Sequence, residues 1–79
     1  MREELNDLAL EIHQRHRSLL KEFRIELVAG GVALHGLAYS YYGKQIAQNE
    51  ILRRGDLRII TNVIVVAGLA RRELRSHAG

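Results

Sequence analysis

The segment from Phe23 to Ser40, FRIELVAGGVALHGLAYS, limits what this chain can become more than any other, because apolar and polar residues alternate on both sides of a glycine pair. Phe23, Ile25 and Leu27 alternate with Arg24 and Glu26. Val32, Leu34 and Ala38 keep the same period beyond Gly30 and Gly31, with Gly36 in step. A two-residue hairpin loop asks for positive φ, which glycine adopts at no steric cost. With the two glycines at the tip, Leu27 faces Leu34, Ile25 faces Gly36 and Phe23 faces Ala38, so both apolar sets fall on one side. A three-residue loop would turn one set to the other face. In this register Gly36 leaves room for Ile25 across the hairpin.

The flanking segments fit around that hairpin. Leu5, Leu8, Ala9, Ile12, His16, Leu19, Leu20 and Phe23 recur at three-and-four spacing, which predicts an amphipathic helix over residues 3–20. Strands follow at 22–29 and 31–39. Ser40 is a suitable N-cap and Gly55 a suitable stop for a second helix over 41–54, whose Tyr42, Ile46, Ala47 and Ile51 share one side. Gly43 inside its first turns points to close packing or a less regular start. Residues 57–66, LRIITNVIVV, are rich in β-branched side chains and predict a third strand, with a tail over 67–79. Helix two makes the last connection a crossover, so strands two and three are expected to run parallel.

The expected fold class is therefore α+β: a two-layer sandwich of αββαβ order, with a three-stranded mixed sheet and two helices on one face. The other face needs company. Val28, Leu37, Ile59, Val63 and Val65, with Tyr39, are expected to point away from the helices, where a three-stranded sheet cannot hide them. Either the tail, through Leu69 and Leu74, or a second copy of the chain could cover them. A chain of 79 residues stands near the lower limit of independent stability, which favours a homo-oligomer through this face.

Composition narrows the chemistry. The chain has no cysteine, which removes disulfides and thiolate metal sites. Its apolar runs are too short for a transmembrane segment, and its acidic start, MREELNDL, is not that of a secretory signal. That start suits the cytoplasm, whereas a chain trimmed of a signal could equally be periplasmic, so the compartment stays open. The net charge of +3 suits an anionic partner or an ordinary solvated surface.

No residue set reads as catalytic. Ser18, Ser40 and Ser76 lack a nucleophile elbow, and Gly30, Gly31 and Gly36 join two strands instead of leading from a strand into a phosphate-binding helix. His13 and His16 have a spacing that could share an ion, but no carboxylate is placed to complete a site, and no metal or cofactor is expected. His16, in the apolar stripe, suits a partly buried histidine with a backbone partner. The polar residues best suited to binding are Arg53, Arg54 and Arg58 around Gly55, with Lys44, Tyr41 and Tyr42. Arginine forks suit phosphate and tyrosine suits an interface, although compensation of the helix dipole explains the arginines equally well. The tail arginines Arg71, Arg72 and Arg75 could add to such a surface. Against nucleic acid, no GxxG loop joins two helices and the second strand lacks paired aromatics.

Phe23, Ile25, Leu27, Gly30, Val32, Leu34, Gly36, Ala38, Ser40, Ala47, Leu57, Ile60, Asn62, Ile64 and Val66 follow a pattern that resembles the BON domain, a small bacterial module of osmotic-shock, pore-forming and nodulation-related proteins. The chain departs from it where Asp56 separates Gly55 from Leu57, and where Tyr41 and Tyr42 stand in place of charged residues. The resemblance implies the αββαβ sandwich, a non-enzymatic role, and binding to phospholipid, another anionic surface or a protein partner. A small nucleic-acid-binding domain and a purely structural assembly module are the alternatives.

Overall fold

The computed structural model describes residues 1–67. In chain order it holds α1 (Arg2–Arg15), β1 (Leu20–Val28), β2 (Gly31–Ala38), α2 (Tyr41–Arg54), β3 (Ile59–Asn62) and β4 (Val65–Val66). This is an α+β arrangement of two helices and one mixed sheet. β2 is central: β1 lies antiparallel along one side, and β3 and β4 run parallel to it along the other. The tail residues Leu69, Arg71, Arg72, Leu74, Arg75, Ser76 and His77 lie outside the described residues.

One core joins every layer. Leu5, Ala9 and Ile12 of α1, Leu20, Phe23 and Ile25 of β1, Val32, Leu34 and Ala38 of β2, Ala47 and Ile51 of α2, and Ile64 form a single buried cluster. Leu20, Val32, Leu34, Ala38, Ala47 and Ile51 are wholly shielded from water. Ser40 caps α2 by accepting from the Gly43 amide, and Gly55 ends it at φ 77°. Gly43 admits close packing: a Cβ there would stand 2.6 Å from the Leu19 carbonyl oxygen.

The first helix ends five residues short of the predicted boundary, at Arg15. The Leu19 and Leu20 amides both donate to the His16 carbonyl, in one further turn that is no longer regular helix. That turn keeps the three-and-four spacing alive while it swings Leu20 into the sheet. Helical periodicity in the sequence thus outlasts the helix.

The hairpin loop is Ala29 and Gly30, one residue earlier than the glycine pair predicts, so Leu27 pairs with Val32, Ile25 with Leu34 and Phe23 with Gly36. Of the glycine pair Gly30 has the positive φ, 84°, at the loop position where a type II turn takes glycine. Gly31 serves the opposite strand margin. A Cβ there would come within 2.1 Å of the Arg58 carbonyl oxygen, and Arg58 accepts from the Val32 amide next door. The register moves by two residues, an even number, and so the apolar residues keep their face.

Two bulges interrupt the period of two. Leu20 pairs with Ala38 but Glu22 with Leu37, leaving Lys21 as the extra residue. Gly36, at φ 146°, absorbs this bulge, since a Cβ would lie 2.2 Å from the Glu22 carbonyl oxygen. That close approach, and not space for Ile25, is why glycine stands there. On the other side Val32 pairs with Ile59 but Ala33 with Thr61, so Ile60 is extra. Ile59 therefore packs against the core while Ile60 is exposed, which corrects the expected outward orientation of Ile59. The strand expected over 57–66 is also shorter and split. The Asn62 side chain accepts from the Ile64 amide, bending the chain out of the ladder before β4 rejoins β2 through Leu37 with Val65.

Candidate functional site

The sheet face turned away from the core has two halves. On the β1 side, Glu26 and Arg24 alternate with the core residues, and the His35 ring donates through Nε2 to Glu26 at 2.8 Å. On the other side, Leu37 lies beside Val65, whose neighbour in the core layer is Ile64. Val63 is 48% exposed, Val65 56% and Tyr39 51%, all large for apolar or aromatic side chains. Leu37 and Val28 are half-buried, Val28 at the hairpin end. Of the residues expected on this face, the structure groups Leu37, Val63 and Val65, keeps Val28 at the rim, and puts Ile59 on the opposite layer.

The expected polar cluster along α2 divides in two. Tyr41 and Tyr42 occupy the first turn and Arg53 and Arg54 the last, roughly 20 Å apart at 1.5 Å per residue. Tyr41 and Lys44 line a shallow pocket of about 170 Å³ with Gln45, Gln48, Asn49 and Asn62. There Asn62 donates to Gln48 Oε1 at 3.0 Å, which turns the Gln48 amino group outward. At the other end Arg54 pairs with Asp56 at 3.4 Å, Arg53 stands 3.9 Å from Glu50, and Arg58 has no ion-pair partner among the described residues.

Glu50 holds the helices together, a role that helical spacing alone does not reveal. Its Oε2 accepts from His16 Nε2 at 2.6 Å and from Arg15 at 3.0 Å, and Arg15 also reaches Glu11. The Glu50 side chain is only 11% exposed. The His16 hydrogen bond holds the Glu50 carboxyl below its usual value, outweighing the burial that would raise it, and Arg15 adds to the effect. The same contacts raise the Arg15 guanidinium. His16 is thus half-buried with a carboxylate partner and not the backbone partner expected of it. The sequence signal for this clasp is a carboxylate on the otherwise apolar side of α2, one position before Ile51.

The histidines serve separate partners. His13 donates to the Leu20 carbonyl at 3.0 Å, across the turn that ends α1, while His16 turns to Glu50. Among the described residues no three His, Asp or Glu side chains converge as a metal site. Among them, too, no helix is long and apolar enough to cross a membrane. None of the family models, curated proteins or solved structures compared with this chain matches it.

Proposed function

We propose that the chain is a non-enzymatic interaction module of BON type, a two-layer αββαβ sandwich that associates with a second copy of itself through the apolar half of its open sheet face. The observation that carries this is the exposure of Val63 and Val65 beside Leu37 on a sheet with no layer over that side among the described residues. The order of the motifs between Phe23 and Val66 supports the family assignment. Burying such a face would supply apolar area that a chain of this size lacks on its own. Light scattering on size-exclusion eluates over a range of concentrations tests it. Self-association of the native chain that Val65→Lys weakens supports the proposal; a native monomer at all concentrations, or a Val65→Lys variant that associates as tightly as the native chain, rejects it.

An anionic partner, phospholipid in particular, is the second function proposed. Arg53 and Arg58 support it: both are exposed, and the nearest carboxylate to Arg53 lies at the edge of ion-pair distance. Co-sedimentation with anionic and with neutral vesicles, beside anisotropy with short RNA and DNA, separates lipid from nucleic acid. Binding that appears only with anionic vesicles, and weakens with salt and with Arg58→Ala, is the expected result. Equal binding to neutral vesicles, or binding to nucleic acid alone, rejects it.

A further inference from the structure

We infer that the free edge of β1 is a second self-association site, at which two copies pair antiparallel about a two-fold axis through Ile25. Among the described residues β1 ends the strand order and has β2 as its one neighbouring strand, so the outer side of a nine-residue strand offers its backbone groups to another chain. An open groove of about 610 Å³ runs along that edge. It is lined by the consecutive residues Arg24, Ile25, Glu26 and Leu27, by Arg2, Leu5 and Asn6 of α1, and by His35 of the adjoining β2.

The occupant follows from the charges. An edge strand is usually protected by like charges, which repel a copy of themselves. Here Arg24 and Glu26 flank Ile25 with opposite signs on the same face. With the two-fold at Ile25, Arg24 of each copy stands opposite Glu26 of the other, and Phe23 opposite Leu27, which is 44% exposed in the single chain. The registers on either side of it fare worse. An axis at Arg24 sets arginine on arginine and Glu22 on Glu26, and an axis at Glu26 sets glutamate on glutamate. An axis at Phe23 draws in the Lys21 bulge, where the ladder is broken. Arg24 has no ion-pair partner among the described residues. Glu26 uses Oε1 for His35 and keeps Oε2 for an arginine. The contact is isologous and extends two sheets into one.

Charge reversal in the full chain tests it by sedimentation equilibrium, with circular dichroism to verify folding. Arg24→Glu alone and Glu26→Arg alone should each weaken association roughly tenfold or more, because each turns both symmetric pairs repulsive. Mixing the two variants should restore it as a heterodimer, and the double reversal should restore it as a homodimer. Single reversals that associate as tightly as the native chain would overturn the edge contact, as would a folded double reversal that stays dissociated. Val65→Lys separates this site from the open face: association lost there but intact in both reversals rejects the edge and leaves the face contact standing. The opposite result rejects the face and leaves the edge.

Discussion

His16 donates to Glu50 at 2.6 Å and thereby ties the turn that ends α1 to the last turns of α2, across 34 positions of sequence. Because the carboxyl is held below its ordinary value, folding favours its ionised form. A depressed carboxylate contributes stability that is complete above the ordinary carboxylate range and lost as pH falls through that range toward the lowered folded value. Urea midpoints should therefore decline on acidification below about pH 4, and the decline should be shallower in Glu50→Gln. At neutral pH, Glu50→Ala should cost about 1–2 kcal/mol, the loss of charge-assisted bonds at a largely covered site. A variant with the native acid slope would show that the clasp carries no linkage.

Glycine substitutions separate space from conformation. Gly31→Ala meets the Arg58 carbonyl without needing positive φ, whereas Gly55→Ala, at φ 77°, meets nothing within 4 Å. Gly36→Ala meets both obstacles. Thermal unfolding should place Gly55→Ala about 1 kcal/mol below the native chain and Gly36→Ala on the order of 3 kcal/mol below it or more. A mild Gly36→Ala would contradict the bulge at Lys21.

The bulge at Ile60 makes an equally sharp forecast. Ile59→Lys should cost about 3 kcal/mol, since it forces an ammonium toward the core. Ile60→Lys, on the outer side, should stay within about 0.5 kcal/mol. Reversed costs in chemical denaturation would mean that β3 has the opposite parity.

Asn62 makes two bonds of different kinds, donating to Gln48 and accepting from the Ile64 amide. Asn62→Asp keeps the acceptor, and the Gln48 amide can rotate to donate to it. Asn62→Ala loses both and should cost about 1 kcal/mol more than the aspartate variant. Equal losses in urea titrations would show that the bend before β4 does not depend on the side-chain oxygen.

Most of this architecture was legible where one period governs one element. Tyr41–Arg54 was bounded by Ser40 and Gly55 because a hydroxyl cap and a left-handed glycine are local requirements. What escaped were places where long-range contact overrides period: the Gly31 approach to Arg58, and the extra residues Lys21 and Ile60 that reverse which side chain faces in. The α2 cluster looked unified in sequence, because fourteen residues read in a line hide a separation along the helix axis. The role of Glu50 is not local to its own helix, because His16 and Arg15 lie at the end of α1, more than thirty positions away. The charge pattern at Arg24 and Glu26 was visible as alternation, but its meaning needed the knowledge that β1 stands at an edge.

Among the described residues of one chain, β2 is the strand hydrogen-bonded on both flanks, by β1 along its whole length and by β3 and β4 in two pieces. Its amides should accordingly be the last to trade protons for deuterons, because no partial opening of either flank frees both of its sides. The chain would then come apart from the margins inward, with residues 31–38 as the final remnant.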